Sequence, residues 1–153
     1  MSQFQYLGYI IDEKGVHMDL GKIQVIRDCP TPTTLTELRN FLGLTNFYQR
    51  FVLGFSYITW PLSQITKGRT KVIFSWSESQ QKVFIELRHC LYYARILTFL
   101  DLQQHFEIET IAFDYAIGAI LTQHRHPVAY HSETLSDTIQ KYPTNDKNMY
   151  SIV

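Results

Sequence analysis

The strongest constraint on this chain is a change in the spacing of its apolar residues, from a helical period to a period of two. Across Ser77 to about Tyr93, the residues Val83, Phe84, Leu87, Cys90 and Leu91 recur at helical intervals behind Ser77-Glu78-Ser79-Gln80. That spacing predicts an amphipathic helix opened by a capping box. From about Thr98 the period falls to two, and HFEIET, AIGAILTQ and PVAYHSETL alternate as strands do. Short links join them, the second at His124-Arg125-His126-Pro127, which predicts a three-stranded antiparallel meander. Tyr142-Pro143-Thr144-Asn145-Asp146 then opens a last helix, which has about two turns before Val153. A helix feeding a meander sets the fold class as α+β.

The first half follows different rules. Phe4 to Ile11 is β-rich, and with Asp12-Glu13-Lys14-Gly15 and Val16-His17-Met18 it predicts a hairpin with a four-residue turn. Asp19 to Asp28 carries Ile23, Val25 and Ile26 on a helical stripe and stops before Pro30 and Pro32. Thr34 and Glu37 have capping-box spacing and introduce Leu35, Leu38, Phe41 and Leu42, a second helix expected to end before Gly43. NFYQRFV and FSYITWPLSQIT continue as short helical pieces punctuated by Gly54 and Pro61, aromatic enough to form a compact core. The polar segment Lys67-Gly68-Arg69-Thr70-Lys71 then marks a boundary, giving units 1–70 and 71–153.

Composition narrows the function. The 153 residues are 45% hydrophobic and 14% aromatic, enough for a packed core, and fourteen basic residues balance fourteen acidic ones. No global field steers the chain to nucleic acid or an anionic membrane, so any nucleic-acid contact must be local. Cys29 and Cys90 lack metal-site or CxxC spacing and read as reduced, half-buried thiols. No targeting segment or membrane-length apolar run occurs, so a soluble, intracellular protein is expected.

Few residues suit catalysis. His124 and His126 share a turn without further metal ligands nearby, and no nucleophile-elbow or phosphate-cradling glycine pattern is present. Arg39, Arg50, Lys67, Arg69 and Lys71 interleave with Phe47, Tyr48, Phe51 and Tyr57, a composition that can track a phosphate backbone or simply form solvated helix faces. On the first strand of the meander, Glu107, Glu109 and Ile111 share one face, and Phe106, Ile108 and Thr110 the other. Asp114, in the following turn, is expected to bond to local backbone amides.

Several stretches in a fixed order resemble the Pol polyprotein of gypsy-class long-terminal-repeat retrotransposons, from the end of reverse transcriptase into ribonuclease H. Tyr6-Leu7-Gly8-Tyr9 resembles the primer-grip hairpin, and GVHMDLGKIQVIRDCPTPTTLTELRNFLGLTNFYQRFVLGFSYITWPLSQIT resembles the helical thumb. FSWSESQQKVFIELRHCL is similar to the helix leading into ribonuclease H, and FEIETIAFDYAIGAILTQHRHPVAYHSETL to that domain's first three strands. The resemblance implies an N-terminal β-hairpin, a small thumb-like helical unit, a connecting helix and an incomplete ribonuclease H-like sheet ending in the start of a helix.

The resemblance also implies a chemistry whose residues can be checked. The polymerase carboxylates of the family sit in a Tyr-x-Asp-Asp turn, and this chain has no Asp-Asp pair. The family's Thr-Asp-Ala-Ser, whose Asp binds metal, reads here Thr110-Ile111-Ala112-Phe113. Its Asp-Lys-Glu-Met-Tyr, whose Glu is catalytic, reads Asp146-Lys147-Asn148-Met149-Tyr150. The remaining family aspartates come from elements beyond Val153. Glu109 cannot stand in for the lost ligand, because two residues along a strand is ~6 to 7 Å and a metal–oxygen bond is only ~2.0 to 2.6 Å. Gly21 within a helix and Ala94-Arg95-Ile96-Leu97, where the family has Ala-Pro-Val-Leu, are further departures.

Three readings follow. The first is a degenerate piece of reverse transcriptase and ribonuclease H without activity and without the Mg2+ or Mn2+ the family uses. The second is a residual binding module for RNA–DNA hybrid or other duplex through Tyr6, Leu7, Gly8, Tyr9, Arg39 and Arg50. The third, ranked last on ligand count, is an active ribonuclease H within a larger product. The family's sheet flanks its first strand with one from beyond Val153, which implies an open apolar edge here and self-association through it.

Overall fold

The computed structural model describes residues 2–68 and 73–152. Within these, two three-stranded antiparallel sheets flank a set of helices. The N-terminal run does not form one strand. Leu7 and Gly8 take positive φ (48° and 83°), so the run folds back into β1 (Phe4–Tyr6) and β2 (Tyr9–Asp12), with Tyr6 opposite Tyr9. β3 (Gly15–Met18) pairs with β2 so that Asp12 faces Gly15. The turn is therefore Glu13-Lys14 alone, shorter than the four residues expected, and the Asp12 carboxylate secures it by accepting the Lys14 N–H at 2.8 Å. The far edge of β3 meets the chain after the connecting helix, where Val16 and Leu97 exchange backbone hydrogen bonds of 2.7 and 2.8 Å.

α1 (Leu20–Asp28) starts at Asp19, whose side chain caps the Gly21 N–H, and it buries Ile26. Val25, expected on the buried stripe, faces solvent. α2 (Leu35–Asn46) is capped by Thr34, but Glu37 bonds to the Thr33 N–H at 2.7 Å instead of closing the box on Thr34. The helix does not stop before Gly43. It continues to Asn46 because buried Phe41 and Thr45 carry its packed face past the glycine. A 3-10 turn (Gln49–Phe51) leads to α3 (Phe55–Thr66), which begins after Gly54 (φ 67°) and runs through Pro61. Proline removes one internal hydrogen bond, but Phe55, Thr59 and Leu62 are buried on one stripe, and that packing holds the helix together.

α4 (Glu78–Tyr92) carries the full capping box, with Ser77 and Gln80 each bonding to the other's backbone. The second sheet orders β4 (Glu107–Ala112), β5 (Ala116–Gln123) and β6 (His126–Thr134) as the period-two pattern predicts. The residues before its first strand are held as a loop by the buried Gln123 amide. The Gln123 side chain accepts the Asp101 N–H at 2.9 Å and donates to the carbonyls of Asp101, Gln104 and His105. A short α5 (Asp137–Gln140), unsignalled in the sequence, precedes α6 (Thr144–Tyr150).

The main core joins Met18, Ile26, Phe41, Tyr48, Phe51, Val52 and Phe55 to Phe84, Leu87, Leu91 and Leu97. The aromatic core expected to belong to the helical unit alone is thus completed by α4 and by the residue bonded to β3. The boundary between 70 and 71, with Arg69 and Lys71, lies outside the described residues. Cys29 and Cys90 are free and half-buried, and burial pushes both thiols above their ordinary pKa.

Candidate functional site

β4 delivers Ile111 to the end of the second sheet, opposite Gly118 and 37% exposed. The loop after it closes tightly, with the Phe113 N–H donating to the Ala116 carbonyl at 2.7 Å. The Asp114 carboxylate makes no hydrogen bond among the described residues, contrary to the expected turn role. Its backbone carbonyl instead accepts a hydrogen bond from the Lys147 ammonium at 3.0 Å. Lys147 lies on α6, which packs against β4, and is only 7% exposed. The next residue, Asn148, is exposed, and its carbonyl accepts the Ser151 hydroxyl at 2.7 Å.

The structure thus brings the loop after Ile111 and the helix bearing Asn148 together, with a buried cation bridging them. These side chains do not fit a pair of divalent ions: isoleucine has no donor atom, and asparagine supplies a neutral amide where a carboxylate would bring charge. Among the described residues no three or more His, Cys, Asp or Glu side chains assemble into a group that could hold a metal ion. His124 and His126 are exposed in a turn of positive φ (52° at His124, 63° at Arg125), where the His126 ring nitrogen meets the His124 carbonyl.

Phe113, two residues beyond Ile111, belongs to a stack of four rings joining the second sheet to α3. Phe113 lies on Tyr57 (4.3 Å between centroids), Tyr57 on Tyr115 (5.1 Å), and Tyr115 on Trp60 (4.3 Å). Gly54 and Gly118 leave room for the Phe113 ring, whose atoms lie 3.8 Å from where a Cβ on either would sit. Beside the stack, the buried Ser132 hydroxyl accepts the Ser56 N–H at 2.9 Å. Sequence reading missed both Lys147 and the stack. Lys147 lay one residue before an inspected position, whereas the stack had no local signal, because its partners are far apart in the chain.

The N-terminal candidates form a second feature. Tyr6 and Leu7 project into solvent, 62% and 67% exposed. Their turn is held from below: the Gly8 carbonyl accepts the Tyr48 hydroxyl at 3.1 Å, and the Tyr9 hydroxyl donates to the Phe47 carbonyl at 2.8 Å. Tyr9 also stacks on Phe47, with centroids 5.0 Å apart. Burial raises the Tyr9 hydroxyl pKa, and the positive charge of Arg50 partly opposes this. Arg39 is held elsewhere, donating to the Thr66 carbonyl at the end of α3. No helix among the described residues is long and apolar enough to cross a membrane.

Two small antiparallel sheets on a shared helical core, with a strand–loop–helix corner beside Ile111 and Asn148, define a ribonuclease H-like module attached to a helical unit. Residues 76–153 match the model of the RNase H-like domain found in reverse transcriptase. The chain belongs to that family. It is 32% identical over 165 residues to the retrovirus-related Pol polyprotein from transposon opus of Drosophila melanogaster, a match covering 99% of this chain and 16% of that one. It is 32% identical over 159 residues to the Pol polyprotein from transposon gypsy of the same organism, covering 97% and 15%. It is 31% identical over 157 residues to the transposon Tf2-3 polyprotein of Schizosaccharomyces pombe, covering 99% and 12%. The chain therefore spans a small part of the curated relatives it matches. Among solved structures, the foamy viral protease-reverse transcriptase in complex with RNA/DNA hybrid shares the fold, at a TM-score of 0.85 and 24% identity over 98% of this chain and 21% of that one. The same viral protein in complex with dsDNA gives a TM-score of 0.85 at 23% identity, covering 99% and 32%.

Proposed function

We propose that this chain is a region of a retrotransposon Pol polyprotein whose ribonuclease H-like module cleaves no RNA and binds no Mg2+ or Mn2+. What supports the reading is the pair of residues at the places where the resemblance sets the family's metal carboxylates, Ile111 at the strand end and Asn148 on the helix that packs against that strand. Two-metal cleavage needs converging negative charge for two divalent ions. Two of those charges are absent here whatever sequence follows. The test is incubation of the purified chain with a labelled RNA–DNA hybrid in Mg2+ and then Mn2+. No cleavage above a metal-free control is expected. Metal-dependent cleavage abolished by Asp114→Asn would overturn the proposal and favour an active ribonuclease H within a larger product.

A second reading, compatible with the first, is a duplex-binding role for the N-terminal hairpin. It is favoured by the exposed Tyr6 and Leu7 on a turn braced from beneath by Tyr48. Phosphate contacts weaken as salt rises. Gel shifts with RNA–DNA hybrid should therefore show binding at low salt that falls on adding salt and on mutating Tyr6 or Arg50 to alanine. Absence of binding at low salt would remove this role. Self-association is a proposal of the same kind: among the described residues β4 pairs only with β5, and Ile108 on it is 62% exposed. Sedimentation showing a monomer at all concentrations would exclude it.

A further inference from the structure

α1 and α4 pack side by side, and a groove of about 350 Å3 beside them is lined by Arg27, Ile85, Arg88, His89, Tyr92 and Tyr93. None of the hairpin residues, nor Ile111 or Asn148, lines it. Its lining holds two guanidinium groups, three flat rings and no carboxylate. Tyr93 is 66% exposed and Tyr92 40%, and their rings stand at 86° with centroids 4.8 Å apart. His89 leans on Tyr93 at 4.5 Å, and the Arg27 guanidinium lies 5.8 Å from the centre of the Tyr92 ring.

The two arginines are fixed differently. Arg88 donates from Nη1 to the Cys29 carbonyl at 2.8 Å and lies over the Phe84 ring, while its buried Nε has no acceptor. Arg27 donates from Nε to its neighbour Asp28, an exposed pair of the kind that contributes little stability. The Asp28 carboxylate is engaged by Arg27 and by Gln24. Those two bonds, with the charge of Arg88 behind them, hold its carboxyl below the ordinary carboxylate range. Exposed rings beside guanidinium groups match a ligand carrying flat faces and negative charge together. Single-stranded nucleic acid presents both, whereas a duplex hides its base faces.

We propose that the α1–α4 groove binds single-stranded nucleic acid, with a base stacked on the exposed Tyr93 ring and the adjoining phosphates against Arg27 and Arg88. The proposal rests on the view that this chain meets nucleic acid, but it uses a surface separate from the hairpin, so the two can fail separately. The test is fluorescence anisotropy of labelled oligo(dT) and oligo(U) with the whole chain at about 50 mM salt, where phosphate contacts are strong. Tyr93→Ala should weaken binding by roughly 5- to 100-fold, the range for loss of one base stack. Tyr93→Phe should retain affinity, because it keeps the ring. Arg27→Ala should weaken binding and lower the salt slope by about one phosphate contact. Tyr6→Ala, on the hairpin, should leave oligo(dT) affinity unchanged while weakening any hybrid gel shift. The proposal is overturned if the wild-type chain binds neither oligonucleotide at low salt. It is equally overturned if Tyr93→Ala binds as tightly as wild type.

Discussion

Gly43 and Gly15 should respond oppositely to the same substitution. Gly43 lies inside α2, and a Cβ added there meets nothing within 4 Å. Gly43→Ala should stabilise the protein by about 0.5 to 1 kcal/mol, the usual helix penalty of glycine. Gly15 has φ 136°, and a Cβ there would lie 2.1 Å from the Leu97 carbonyl, so Gly15→Ala should destabilise by more than about 2 kcal/mol. Urea midpoints of the two variants check both signs. Titration acts at this scale too. The His17 side chain and the Lys14 N–H hold the Asp12 carboxyl below its ordinary pKa, and the Thr33 backbone and hydroxyl do the same for Glu37. The unfolded chain takes up these protons at higher pH than the folded one. Their contribution is therefore complete above the ordinary carboxylate range and lost as pH falls through the lower folded values. Urea unfolding followed into that range should show stability falling, with a shallower fall in Asp12→Asn.

The elements differ in how far the sequence reveals them, and the difference has physical causes. α4 and the meander were legible because each carries its own signal, a capping box before a helical stripe or a strict period of two. The β1–β2 turn was not, because Leu7 takes a left-handed conformation that leucine rarely adopts, held by the Tyr48 hydroxyl on Gly8. Pro61 and Gly43 read as stops, and tertiary burial carried both helices past them. At the candidate site, the strand period correctly placed Ile111 on the Glu109 face. The Lys147 contact and the Phe113 stack depend on distant partners and left no local trace. The stack predicts that Phe113→Ser, which restores the family's residue type, costs roughly 1 to 3 kcal/mol through lost ring contact with Tyr57. Amide exchange should then quicken in α3 and β5 together; an effect confined to the 113–115 loop would mean the rings do not couple the two elements.

Across the whole molecule, helices and sheets share one packing scheme. α4 and Leu97 complete the core of the helical unit, while the ring stack and the Ser56–Ser132 bond join α3 to the second sheet. Thermal unfolding should therefore give one transition, coincident by tyrosine fluorescence and far-ultraviolet circular dichroism. Two separated transitions would mean that the halves fold independently. The same packing positions the corner beside Ile111 and Asn148, the two positions on which the proposed loss of two-metal chemistry rests. Direct titration with Mn2+, followed by electron paramagnetic resonance of the free ion, tests that central claim without depending on any substrate. The account predicts no saturable binding at millimolar metal; saturable binding abolished by Asp114→Asn would contradict it.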